Sequence, residues 1–224
     1  KDLQDNLDAC TLKHASLEHI KNLYRQMYKY ADGQGWCDKD YSQYIKIKKA
    51  DDDEHGVPFS DAELKTLWEN VHNVTAEMIL IICYSGWRIS EYLDMKIDLD
   101  EKYFFGGSKT DAGKDRTVPI HSAIFPLVER RLKEFGCILP CRPEDFREQM
   151  DRLLNSLGFV NEPKHTPHDC RHTFSRLCEK YGVRENDRKR MLGHSFGNDI
   201  TNRIYGHREL DDLRKEIEKI KVVL

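Results

Sequence analysis

The sequence predicts a mainly α fold of the α+β class, with one small three-stranded antiparallel sheet. Two observations predict it. Apolar residues recur at helical spacing through most of the 224 residues. Short β-type runs occur only between Lys96 and Ile120. No internal repeat or low-complexity segment interrupts this pattern.

Taken in order, Leu17, Ile20, Leu23, Tyr24, Met27, Tyr28 and Ala31 form the first helical stripe, with Ser16 as its expected N-cap and Gly33 as its stop. It reads as the last long helix of a helical module, residues 1–50. The acidic stretch Asp51-Asp52-Asp53-Glu54 opens a linker, 51–57, that leads into a larger domain, 58–224. There Ser60-Asp61-Ala62-Glu63 has the spacing of a capping box, opening a helix that buries Leu64, Leu67 and Trp68. A second helix runs through Met78 to Ile82 and stops at Gly86. Lys96–Leu99, Tyr103–Thr110 and Arg116–Ile120 follow as strands, the last two joined by a hairpin around Asp111-Ala112-Gly113. Helical patterns resume over Ser122–Phe135, Pro143–Leu157 and Pro167–Tyr181. Last, Leu210, Leu213, Ile217, Ile220 and Leu224 make a stripe at steps of 3, 4, 3 and 4. That stripe fits either an amphipathic helix folded on its own domain or an interaction helix, 209–224, that docks on a neighbouring protomer.

Composition bounds the setting. The longest apolar run, Met78 to Tyr84, is too short to span a bilayer. Seven cysteines, odd in number and scattered through expected helices, suit a reducing cytoplasm better than a disulfide framework. The chain begins at Lys1 rather than Met and so reads as part of a longer or processed protein. A formal net charge of −3 hides two basic segments. Residues 13–49 hold eight Lys/Arg against four Asp/Glu, and residues 164–214 hold eleven against eight, with five histidines besides.

Six polar residues point to one chemistry. Arg88 and Arg171 can each offer a bidentate fork to the non-bridging oxygens of a phosphodiester, and His194 can add a donor. His168 and Arg171, three apart, share the first-turn face of a helix. Tyr205 supplies a hydroxyl nucleophile, but a phenol ionises only at about pH 10, so His168 is its natural proton acceptor. Lys109, at a hairpin tip, can protonate the leaving 5′-oxygen. Glu91 can hold the Arg88 pocket, and Asp169 can do the same for Arg171. The set implies covalent attack on a nucleic-acid backbone with no metal and no cofactor. Lys46, Lys48, Lys49, Arg184, Arg188, Lys189 and Arg190 are the candidate contacts to DNA phosphates, giving affinity rather than sequence preference.

Arg88, Lys109, His168-x-x-Arg171, Leu192-Gly193-His194 and Tyr205, in that order, closely resemble the tyrosine recombinase (phage integrase) family. Ser108-Lys109-Thr110-Asp111-Ala112-Gly113 followed by Arg116-Thr117-Val118-Pro119-Ile120 is most like integrases of conjugative transposons and Gram-positive phages. The resemblance spans about Pro58 to Ile220. It implies a recombinase catalytic domain preceded by the end of a helical core-binding domain, with an arm-binding domain further upstream. It implies Tyr205 as the nucleophile that forms a 3′-phosphotyrosyl bond, and Arg88, Arg171 and His194 as ligands of the scissile phosphate. His168 is then the general base and Lys109 the general acid. The implied partners are double-stranded DNA, three further protomers in a synaptic tetramer that exchange C-terminal helices, and an excision factor. The implied setting is the bacterial cytoplasm, where the enzyme integrates and excises a mobile element. Trp87, Ser90 and Gly206 depart from the family pattern without displacing a catalytic side chain.

Three other readings fit less of the sequence. A zinc site at His165, His168, Cys170 and His172 would need ligands that a helix from Pro167 points in several directions. A type IB topoisomerase shares the residue set but lacks a reason for this hairpin and tail. A non-catalytic DNA-binding regulator leaves the complete Arg/Lys/His/Tyr set unexplained.

Overall fold

The computed structural model describes residues 2–49, 56–107, 113–159, 164–195 and 209–222. The chain divides into two compact units, 1–55 and 56–224. Among the described residues, no helix is long and apolar enough to cross a membrane.

In the first unit, α1 (Asp2–Ala9) and α2 (His14–Gly33) bury Leu7 and Leu17 against Ile45, with Ile20, Tyr24 and Ile47 packed around them. The Gln4 amide pairs with the Lys46 backbone, donating to its carbonyl at 2.8 Å and accepting from its N–H at 2.9 Å. The start of α2 differs from expectation. Lys13, not Ser16, is the N-cap, because its carbonyl already receives the N–H groups of Ser16 (3.0 Å) and Leu17 (3.1 Å). Ser16 therefore lies inside the first turn.

The second unit is built around α4 (Val74–Ser85), whose residues from Thr75 to Ser85 are all buried. α3 (Asp61–Glu69), α6 (Pro143–Ser156) and α7 (Pro167–Lys180) pack against it. A helix enclosed on every side has no polar face, which is why this stretch reads as a continuous apolar run. Its one carboxylate, Glu77, is 1% exposed and is met by Arg130 and by Arg131 at 3.4 Å. At α3, Ser60 and Glu63 form the expected reciprocal capping box, and Leu64 and Leu67 are buried while Trp68 is only partly so.

Strands β1 (Lys96–Asp98), β2 (Tyr103–Gly106) and β3 (Arg116–Pro119) form the antiparallel sheet in that order. Phe104 faces Val118, and Gly106 faces Arg116. Phe104 meets Trp87 and Tyr92 edge-on, which seats the sheet on the segment after α4. α5 (Phe125–Phe135) starts three residues later than its pattern suggested, with a proline in its first turn. α8 (Glu185–Leu192) carries no helical signal in the residue pattern. Six of its eight residues are polar and it buries only Asp187, Met191 and Leu192, so no apolar stripe announces it.

The tail forms α9 (Leu210–Ile217), and its stripe is used within the same unit. Leu213, Ile217 and Ile220 are buried in the main core. Glu216 accepts from the Arg184 N–H at 2.9 Å, and Glu218 accepts from the Ser122 N–H and hydroxyl at 2.7 and 2.6 Å. Of the two readings of the stripe, these contacts fit the amphipathic helix folded on its own unit.

Candidate active site

Gly86 ends α4 in the left-handed conformation, at φ 72°, and a Cβ there would run into the Phe174 ring. That stop turns the chain so that Trp87 enters the core while Arg88 caps the short 3-10 turn Ile89–Leu93. Glu91, 7% exposed, sits beneath Arg88. Its carboxylate accepts from the Arg88 N–H at 2.9 Å and from Arg88 Nη1 at 3.3 Å. The expected support of Arg88 by Glu91 is present.

A second guanidinium reaches the same carboxylate. Arg116 Nη2 lies 2.8 Å from one Glu91 oxygen and Nη1 3.0 Å from the other. Nη1 also donates to the Gly113 carbonyl at 2.9 Å, and Nε donates to the Met191 carbonyl at 3.1 Å. The guanidinium carbon sits 3.6 Å from the centre of the Trp87 ring. Burial pushes the Glu91 carboxyl upward, but Arg116 and Arg88 outweigh it and hold the group below its ordinary range. Sequence reasoning missed Arg116 as a site residue. The signal was available: strand alternation puts position 116 on the inward face with Val118.

Arg171, 4% exposed, is fixed differently from expectation. Nη1 donates to the Gly86 carbonyl at 2.7 Å and Nη2 to the Leu192 carbonyl. Asp169 does not hold it. Residues two apart on a helix point to different sides, and Asp169 at the third position of α7 instead closes a capping box with Thr166. Its second oxygen accepts no hydrogen bond among the described residues. Burial, then Arg88 and Arg116, lower the Arg171 pKa to about 9. A buried cation depressed by its own neighbours is a place where an anion is favoured.

The two histidines lie at the mouth of this cluster. His168, exposed on the first turn of α7, meets His172 edge-on at 4.6 Å between ring centres. Partial desolvation lowers its pKa first, followed by His172, Arg171 and Arg88. His194 follows the left-handed Gly193 that ends α8, with its N–H donating to the Lys189 carbonyl at 2.9 Å. A Cβ on Gly193 would stand 2.8 Å from Gly113 Cα, so only glycine lets the hairpin base approach this turn. Partial desolvation, then Arg171 and Arg88, lower the His194 pKa to about 4. Its ring is neutral near pH 7 and can donate through one N–H.

The structure thus brings together Arg88, His168, Arg171 and His194, with Glu91 and Arg116 behind them. Lys109 and Tyr205 lie outside the described residues. Tyr92 is close to the cluster but is no nucleophile. It is 3% exposed, bonds Ser85 Oγ at 2.6 Å and has its phenol pKa pushed up by burial. His165 is structural, stacked on Phe59 at 4.0 Å with Glu63 3.1 Å from Nε2.

Six of the seven candidate backbone contacts have side chains engaged within the protein. Lys48 pairs with Asp8, and Lys49 donates to the Leu12 carbonyl at 2.7 Å. On α8, Arg188 pairs with Glu179, Lys189 with Glu185 at 2.7 Å, and Arg190 with Asp187 at 3.4 Å. Arg184 lies 3.4 Å from Glu216. DNA phosphates would have to compete with these acids.

Comparison with known proteins identifies the family and the fold. The sequence profile described as the phage integrase family matches residues 58–210. Tyrosine recombinase XerA of Pyrococcus horikoshii is 30% identical over 176 residues, covering 73% of this chain and 61% of its own length. The chain therefore spans about three fifths of that relative. Among solved structures, the Tn1549 transposon integrase in complex with circular intermediate DNA superposes with a TM-score of 0.72 at 18% identity, covering 97% of this chain and 83% of that one. A lambda integrase from a tetramer bound to a Holliday junction gives 0.69 at 17% identity, covering 88% and 63%.

Proposed function

As the chain belongs to the phage integrase family, we propose that it is a site-specific DNA recombinase that cleaves and rejoins strands through a 3′-phosphotyrosyl intermediate. The observation that carries this reading is the convergence of two guanidiniums and two neutral-leaning imidazoles, with Arg171 depressed to about 9 by burial and by its cationic neighbours. A phosphodiester supplies the missing negative charge, and the transition state supplies more of it.

In this reading Arg88, Arg171 and His194 hold the scissile phosphate. His168, held below its ordinary pKa, takes the phenolic proton as Tyr205 attacks. The phosphorus–Tyr205 oxygen bond forms as the bond to the 5′-oxygen breaks, and Lys109 protonates the leaving 5′-oxygen to give the 5′-hydroxyl. The phosphoester energy is kept in the new linkage, so a 5′-hydroxyl from a second duplex reverses the step without ATP or a divalent metal. The partners are double-stranded DNA and further copies of the chain. Integration and excision of a mobile element, assisted by an excision factor, are the biological form of this activity in the bacterial cytoplasm. Residues 1–50 act as a second DNA-gripping module joined through 51–57.

The test is strand transfer between two copies of a nicked duplex selected by the protein from a random-sequence pool. In the presence of chelator we expect a covalent protein–DNA adduct and exchanged strands. Relaxation of supercoils without strand exchange would place the activity among topoisomerases. Tyr205→Phe is expected to abolish the adduct while leaving DNA affinity within about twofold, since removal of a nucleophile affects the chemical step and not binding.

A further inference from the structure

We infer that Arg116 is a positioning residue that sets the register of three active-site segments through one buried guanidinium. Its five donor positions form a planar fork, and the fork is used on three sides. It meets both Glu91 oxygens on the segment that carries Arg88, the Gly113 carbonyl at the base of the hairpin that carries Lys109, and the Met191 carbonyl three residues before His194. Trp87, adjacent to Arg88 in sequence, stacks on the guanidinium face. Segments far apart in the chain therefore share one rigid, 8%-exposed cation that is not placed to touch the reacting atoms.

Arg116 also leaves Arg88 available for the phosphate. Glu91 lies 2.8 and 3.0 Å from Arg116 but 3.3 Å from the Arg88 guanidinium. With its two oxygens already engaged by Arg116, the carboxylate holds Arg88 by its backbone N–H and only loosely by its side chain. Without Arg116, a buried carboxylate would draw Arg88 into a bidentate pair and away from substrate. Met191 and Gly113 would lose their shared donor, and the turn before His194 would move independently of the hairpin. A displacement of about 1 Å in such a constellation costs on the order of 100-fold in rate.

The inference rests on the recombinase reading, so the experiment separates the two. Single-turnover cleavage of the selected nicked duplex is measured at saturating protein, alongside DNA affinity and thermal unfolding. Arg116→Lys keeps the charge but not the fork. Glu91→Gln keeps the shape but not the ionic anchor. Each is expected to lower the cleavage rate by about 100-fold with affinity within about twofold, the signature of an interaction realised in the transition state. The double variant is expected to lose little more than either single one, because both remove the same link. Wild-type cleavage in the lysine variant, or multiplicative losses in the double variant, would overturn the inference. So would loss of folding or of DNA affinity in step with rate, which would make Arg116 a stability residue. A wild-type chain that forms no adduct would instead remove the recombinase reading itself.

Discussion

At the scale of single residues, burial and neighbouring guanidiniums hold Arg171, His168 and His194 below their ordinary pKa values. The consequence for pH is definite in sign. His168 and His194 both have folded-state pKa values below the ordinary value of about 6.5, His194 at about 4. Below about pH 6.5 the unfolded chain therefore binds more protons at these positions than the folded one, and acidification costs stability. The contribution is fully present above the unfolded value and is lost as pH falls from there toward 4. Thermal melts from pH 7 to pH 5 are expected to show a falling midpoint, with a shallower fall in His194→Gln. An equal slope in that variant would mean that His194 is not the depressed group. Bound DNA should reverse the effect at this position, because an anion favours the protonated ring. Arg171 makes a second case. Lysine cannot serve the Gly86 and Leu192 carbonyls together, so Arg171→Lys should lose about 1.5–3 kcal/mol of stability, measured by denaturant unfolding, besides losing cleavage.

At the scale of elements, several of the stops and starts that position the site are local chemistry and are legible in the sequence. The Ser60–Glu63 box, the glycine stop at 86 and the three strands follow from residues within one turn of each other. What could not be read depends on distant partners. Arg116 gains its meaning from Glu91, Gly113 and Met191, and Asp169 was assigned to Arg171 although its own helix start claims it. α8 had no apolar stripe to reveal it, and the stripe of α9 could not say which copy of the protein it would cover. The core makes its own prediction at this scale. Glu77 lies inside the most enclosed helix, and Arg131, 3% exposed, depends on it. Glu77→Ala would leave that cation buried without its partner and should cost about 3–5 kcal/mol in denaturant unfolding. Tolerance of alanine there would show that the carbonyls of Ile138 and Val74, at 2.7 and 2.8 Å from Arg131, suffice to hold it.

At the scale of the whole molecule, the two compact units have separate cores, so residues 56–224 are expected to fold without the first unit. On the proposal that the first unit grips DNA alongside the second, the linkage raises affinity by effective concentration, and removing 1–55 should weaken duplex binding by roughly 100-fold while leaving the site geometry in place. Fluorescence anisotropy on the selected duplex reads this directly, and unchanged affinity would mean that the first unit does not grip DNA. The central claim concerns one bond. The most direct test is mass mapping of the peptide that stays attached to DNA after cleavage, proteolysis and nuclease digestion. The account predicts a nucleotide joined by its 3′-phosphate to the peptide carrying Tyr205. Attachment to any other residue, or linkage through a 5′-phosphate, would contradict it.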